Sequence, residues 1–144
     1  MRWAERTAGA VIGSAVGDAL GAPFEFGPAG AFSARFPAPG AGEEMCGGPG
    51  QATEFNGAVW PCLGSAVWAL RTTGGYEEAV RAAIDLGGDT DTVAAVTGGL
   101  AGAYYGLDAI PARWTAPLHV PLPGFGDRVL KLPQLLALTH RLAA

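Results

Sequence analysis

Hydrophobic and polar positions repeat at helical spacing in five stretches of this chain, and no stretch sustains the two-residue alternation of a strand. The first stretch, Ala4–Leu20, leads into a stripe of glycines at Gly9, Gly13, Gly17 and Gly21, one on every fourth residue. Glycine costs a helix up to about 1 kcal/mol against alanine, so such a stripe predicts a second backbone packed very close. The natural partner is the stretch Asp91–Tyr105, where Gly98, Gly102 and Gly106 repeat the spacing. Further helices are predicted over Leu63–Arg71 and Tyr76–Leu86. In the latter, Tyr76, Val80, Ala83 and Ile84 share one face, with Glu77, Glu78, Arg81 and Asp85 elsewhere. Gly74-Gly75 reads as a tight turn between these two helices, and Gly87-Gly88 as the glycines that cap the end of the second. A short helical turn near Ala109–Trp114 follows. The last helix is begun or interrupted by Pro133 and carries Leu135, Leu136, Leu138 and Leu142. The pattern predicts an all-α fold, a compact orthogonal helical bundle forming one domain over residues 1–144.

Residues 27–61 do not fit this scheme. They hold eight glycines and five prolines in 35 residues, without convincing periodicity. Structureless loops beyond about 15 residues are uncommon inside compact domains. The segment reads either as a substrate-facing loop or as the scar of something that once bridged its ends.

Composition narrows the classes. With 49% hydrophobic and 15% charged residues in 144, the chain has the makings of one globular core and not of a disordered segment. Net charge is −4 and the nine basic residues are spread from Arg2 to Arg141 without clustering, which argues against nucleic acid as a partner. The weakly polar runs Ala8–Gly17 and Val93–Leu107 fall short of the roughly 20 residues needed to span a bilayer. The N-terminus lacks the layout of a signal peptide, so a cytoplasmic protein is expected. Cys46 and Cys62 read as ordinary free thiols. Neither His119 nor His140 has a partner at ligand spacing.

The candidate chemistry lies in Gly87-Gly88-Asp89-Thr90-Asp91-Thr92, where a loop turns into a helix. Two carboxylates and a hydroxyl at i, i+2 and i+3 suit a hard divalent cation, Mg²⁺ or Mn²⁺. The structural alternative is an Asp N-cap with a second acid answering the helix dipole. One cap needs one side chain, however, and a cation facing the positive end of a helix needs at least two carboxylates. Gly87 and Gly88 would let backbone approach a bound ligand. Upstream, Asp18 is a polar residue on a small, apolar helical face. Glu25, between Phe24 and Phe26, sits where an apolar setting would favour general acid–base work. A capping Asp18 and a solvated Glu25 remain the bland alternatives.

Taken together, Gly9–Phe26 (GAVIGSAVGDALGAPFEF), Gly47-Gly48-Pro49-Gly50 and Ala79–Trp114, with its LGGDTDT and TGGLAGAYYG blocks, resemble the ADP-ribosylglycohydrolase family. The resemblance implies an all-α enzyme that removes ADP-ribose from proteins or small molecules. It also implies metal ligands at Asp89, Asp91 and Thr92, catalytic roles for Glu25 and Asp89, and ligand contacts near Gly87, Gly88 and Asp18. In the family two Mg²⁺ ions hold the ribose hydroxyls and position water for attack at the anomeric carbon.

The departure is as informative as the match. The family's first metal motif, a Thr-Asp-Asp triple after a GGPG-like turn, is replaced here by Gln51-Ala52-Thr53-Glu54-Phe55-Asn56-Gly57. Thr53 and Glu54 are at most a degenerate remnant of it. The chain then passes directly to Val59–Leu70, which resembles a late segment of the family fold, so this reads as a short form lacking the central helices. Three functions remain open: a minimised glycohydrolase, a non-catalytic binder of ADP-ribose or a nucleotide riboside, and a structural or regulatory module. Loss of central helices should bare apolar surface, which predicts a homodimer.

Overall fold

The glycine stripe sets the architecture. A computed structural model describes residues 2–40, 42, 44 and 59–142. Among these, seven helices run in the order α1 (Trp3–Gly21), α2 (Ala31–Arg35), α3 (Val59–Thr72), α4 (Tyr76–Ile84), α5 (Thr90–Tyr105), α6 (Ala112–Thr115) and α7 (Leu132–Leu142). The fold is all-α. α1 and α5 pack antiparallel, backbone on backbone. A Cβ added to Gly9 would lie 2.0 Å from the carbonyl oxygen of Gly102, and one added to Gly102 would lie 1.9 Å from that of Gly9. Gly13 meets Gly98 in the same way, Gly17 meets Ala94, and Gly21 meets Thr90 and Asp91. Only glycine permits this approach. The seam is closed by Tyr76 of α4, whose buried hydroxyl donates to the carbonyl of Gly13 at 2.7 Å. Burial there pushes its phenol well above the ordinary range.

The predicted face of α4 is the buried one: Tyr76, Val80, Ala83 and Ile84 are all essentially inaccessible and meet Ile12, Val16 and Leu20 of α1 in one core. The last helix divides differently. Leu135 and Thr139 are buried, Leu136 is partly buried, and Leu138 and Leu142 face solvent, because only one narrow stripe of α7 lies on α1.

Two departures from the sequence expectation have clear causes. The stretch 27–61 is not wholly irregular, since α2 lies inside it and α3 begins at Val59. What pins α2 is aromatic packing too sparse to register as periodicity: Phe24, Phe32 and Phe36 meet edge-on or tilted with centroids 5.3 to 6.3 Å apart. The Pro-rich stretch after α6 forms a two-stranded antiparallel ribbon of β1 (His119–Pro121) and β2 (Val129–Lys131). Three residues per strand are too few for an alternation to be read.

A second feature invisible in the sequence is Glu44. Its carboxylate is buried and accepts from Arg81 Nη1 at 2.9 Å, Arg113 Nε at 2.8 Å and Trp114 Nε1 at 2.8 Å. One buried acid thereby joins residue 44 to α4 and α6, with every hydrogen bond charge-assisted. Residues 45–58, with Cys46, the Gly47–Gly50 turn and Thr53-Glu54, lie outside the described residues. No helix among the described residues is long and apolar enough to cross a membrane.

Candidate metal centre

The acidic corner lies at the N-terminus of α5, where the glycine seam ends. Thr90 organises it from the inside. Its side chain is fully buried and its hydroxyl donates to the carbonyl of Gly21 at 2.8 Å, tying the start of α5 to the end of α1. Asp89 and Asp91 flank Thr90, and both are only partly buried. Asp89 is the N-cap of α5. The Thr92 amide N–H is shared between the two acids, at 3.3 Å from Asp89 Oδ1 and 2.7 Å from Asp91 Oδ1.

Glu25 joins them from the other side. It follows a short 3-10 turn at Ala22–Phe24 that continues α1, and the chain then turns back through Phe26, whose φ is 59°. The Phe26 N–H donates to the carbonyl of Gly88, and the Gly88 N–H to that of Gly27, a single antiparallel bridge between the two loops. Carboxylate oxygens of Glu25, Asp89 and Asp91 all lie within 4.8 Å of one another. All three residues are partly buried, and among the described residues none of them is ion-paired.

The electrostatic consequence falls on Asp91. Its carboxyl is pushed up to about 6, first by burial, then by the hydrogen bond with Asp89 and the negative charges of Glu25 and Asp89. Behind the corner, Cys62 of α3 points its thiol at the Thr92 carbonyl, 3.8 Å away. Burial and the charge of Asp89 push that thiol up, so it is an inert packing group.

Other expected site residues are arranged differently. Gly87 and Gly88 adopt φ of 75° and 72°, and a Cβ on Gly87 would lie 2.8 Å from the Ala29 nitrogen. Their lack of side chains is therefore used by the loop that carries Glu25. Asp18 is not part of the acidic corner. It is exposed on α1, lines a shallow groove with Ser14 and Ala95, and has its carboxyl raised by partial desolvation. The sequence points to an acid–base role for Glu25 and is silent on its approach to Asp89 and Asp91. A bridge between residues 27 and 88 leaves no local signal beyond the glycines at its two ends.

An oxygen-only, partly buried, un-neutralised trio of carboxylates fits a hard divalent cation, which would remove the mutual repulsion that raises Asp91. An all-helical domain with such an acidic corner at the junction of two close-packed helices defines a class, and comparison with known proteins gives it a family. The model of the ADP-ribosylglycohydrolase family matches residues 1–55 and 42–143, and the chain belongs to that family. Among curated relatives, it is 44% identical over 59 residues to the ADP-ribosylarginine hydrolase Tri1 of Serratia proteamaculans, covering 41% of this chain and 16% of that protein. To the ADP-ribosylhydrolase ARH3 of Danio rerio it is 51% identical over 41 residues, 28% of this chain and 11% of the relative. To human ADP-ribosylhydrolase ARH3 it is 61% identical over 31 residues, 22% and 8% respectively. The chain thus matches less than a fifth of the length of each of these proteins. No solved structure matches it significantly.

Proposed function

We propose that this chain hydrolyses an N- or O-glycosidic bond of ADP-ribose or a related nucleotide riboside, in a Mg²⁺- or Mn²⁺-dependent reaction. The observation that carries the reading is the convergence of Glu25, Asp89 and Asp91 within 4.8 Å, although Glu25 stands 64 positions before the first of the two aspartates. Asp89, Asp91 and Thr92 would hold the ion, with Glu25 at its edge. A bound divalent cation supplies a Lewis acid that fixes ribose hydroxyls and water. The chain's own carboxylates do the rest. As the bond to the leaving nitrogen or oxygen breaks, positive charge develops at the anomeric carbon, where Asp89 offers negative charge to the oxocarbenium-like centre. Water forms the new bond there, Glu25 takes the water's proton, and that proton passes on to the departed nitrogen or oxygen. The names of the relatives, an ADP-ribosylarginine hydrolase and ADP-ribosylhydrolases, support ADP-ribose as the common part of the substrate.

A second reading, a catalytically impaired binder of the same ligand, is favoured by one observation: residues 51–57 read QATEFNG, without the Thr-Asp-Asp that supplies the family's other metal motif. A composite site across a homodimer would reconcile the two. In its favour, Trp3, Val11, Leu63, Val67, Trp68 and Tyr104 expose apolar surface on α1, α3 and α5. The deciding experiment is release of free ADP-ribose from ADP-ribosylated arginine and serine peptides with Mg²⁺, in the parent and in Asp91→Ala. Release that is lost in the variant supports the enzyme. Binding of ADP-ribose without release supports the binder. Light scattering decides the dimer, which a monomer would exclude.

A further inference from the structure

Glu25 stands just past the 3-10 turn that continues α1, where the chain reverses through Phe26, so something beyond α1 must hold that reversal in place. The contacts between residues 26–33 and 85–88 identify it. Asp85, the residue that ends α4, accepts from the backbone N–H of Ser33 at 2.9 Å with one carboxylate oxygen and from the Ser33 hydroxyl with the other. Its own backbone carbonyl accepts from Gly30 N–H at 2.7 Å. The next two contacts along the same pair of segments are those between Gly88 and the Phe26–Gly27 backbone. Residues 26–33 are thus tied to residues 85–88 by a short, interrupted ladder: the isolated Gly27–Gly88 bridge beside the Glu25–Asp89–Asp91 corner, and the contacts of Gly30 and Ser33 with Asp85 at the other end.

The ladder works against local preference. Phe26 holds φ of 59°, a left-handed conformation that costs a non-glycine residue about 1–2 kcal/mol, and such strain persists only where surrounding contacts over-determine it. Three carboxylates in one place also repel, so Glu25 left to itself would swing away. The anchoring of α2 to α4 answers both. Arg81, one turn before Asp85, donates to the Phe36 carbonyl and stacks its guanidinium 4.9 Å from the Phe32 ring centroid, so the far side of α2 is held by the same helix.

We infer that Asp85 is a positioning residue for Glu25: through Ser33 and the 27–88 bridge, it holds the Glu25 carboxylate beside Asp89 and Asp91. The inference rests on the metal reading of that corner for its consequence, and on the ladder alone for its mechanism. Asp85 itself touches neither substrate nor ion. Residues that orient a ligand from behind are worth roughly 10–100-fold in metal affinity.

The test compares Asp85→Ala, Asp85→Asn, Glu25→Gln and the Glu25→Gln/Asp85→Ala double variant of the full chain, each titrated with Mn²⁺ and followed by amide hydrogen exchange. Asp85→Ala is expected to speed exchange at the Phe26 and Gly88 amides and to weaken Mn²⁺ roughly tenfold, as Glu25→Gln does. The double variant should lose no more than either single one, because both changes remove the same carboxylate from the corner. Asp85→Asn should restore both readouts, since its amide oxygen accepts from the Ser33 N–H and its NH₂ donates to the hydroxyl. Circular dichroism melts confirm that the variants fold, and Ser33→Ala, a milder cut of the same clamp, serves if Asp85→Ala does not. Unchanged exchange at Phe26 and Gly88, or losses that multiply in the double variant, would overturn the inference. If the parent chain binds no Mn²⁺, the metal reading falls while the exchange measurement still decides whether Asp85 holds the loop.

Discussion

The seam between α1 and α5 and the acidic corner at its end share a helix and differ in how well their groups are satisfied. Along the seam Gly9, Gly13, Gly17 and Gly21 on α1 and Gly98 and Gly102 on α5 each meet backbone of the opposite helix, and Tyr76 closes the joint with a buried hydrogen bond. One turn away, three carboxylates crowd together with no ion pair among the described residues, and one of them is pushed up to about 6. The seam is consistent at every level, from glycine spacing to packing. The corner holds three partly buried carboxylates with no ion-pair partner among the described residues. Such local conflict, held in place by a well-satisfied scaffold, is where function is expected to reside.

Breaking the seam should have the largest effect. In Gly102→Ala the new methyl meets the Gly9 carbonyl at 1.9 Å, and neither backbone can move without parting the two helices. Overpacking against backbone should outweigh the helix propensity gained and destabilise by about 3 kcal/mol, or roughly 10 °C in thermal melting. Gly99→Ala, on the same helix, is the internal control. Its Cβ meets Ser14 Cβ at 3.6 Å and the Ala10 carbonyl oxygen at 3.7 Å, both ordinary contacts, so alanine should stabilise by up to about 1 kcal/mol. If both variants lose stability alike, the close approach at residue 102 is not what the seam depends on.

Filling the corner should come next. A ligand present at 100 times its dissociation constant stabilises the folded state by about 2.7 kcal/mol, so saturating Mn²⁺ at pH 7 should raise the melting temperature by several degrees. Asp89→Asn and Asp91→Asn should abolish the rise, while Gly99→Ala should keep it. A rise of equal size in the Asp variants would place the ion elsewhere.

The two regions also differ in how far the sequence discloses them. The seam was legible because glycine in a helix interior is a cost with a single plausible compensation, and the i, i+4 spacing on both helices names the partner. The face of α4 was legible for the same reason, a period repeated over several turns. Asp89 and Asp91 could be read as a pair, yet the role of Thr90 between them, tying the start of α5 to the end of α1, could not, since its partner is a carbonyl sixty-nine positions away. The approach of Glu25, the Ser33–Asp85 clamp and the burial of Glu44 all depend on contacts between distant loops. These leave only isolated glycines, serines and acids, residue types that occur in any loop. The strands at His119–Pro121 and Val129–Lys131 escaped because a period of two cannot be established in three residues.

The smallest expected effect is the most direct test of the contrast, because it has a sign. The Asp91 carboxyl stands at about 6 in the folded chain against 3.8 for an ordinary aspartate. Between those values the folded state holds a proton that the unfolded state has lost, so raising the pH favours unfolding. For the metal-free chain this contribution is harmless at pH 4 and becomes fully destabilising above about 6. Because Asp91 is only partly buried, solvent screening keeps the effect under about 1 kcal/mol. With Mn²⁺ present the slope should invert. Ligation requires the deprotonated carboxylates, so the ion's contribution should grow as pH rises from 5 to 7. Melting curves at pH 5, 6 and 7, taken with chelator and with Mn²⁺ and referred to Asp91→Asn, isolate this group from every other titration. Opposite slopes would mean that the corner stores repulsion which an ion relieves. Parallel slopes would mean that Asp91 behaves like the satisfied residues of the seam, and the contrast between the two regions would collapse.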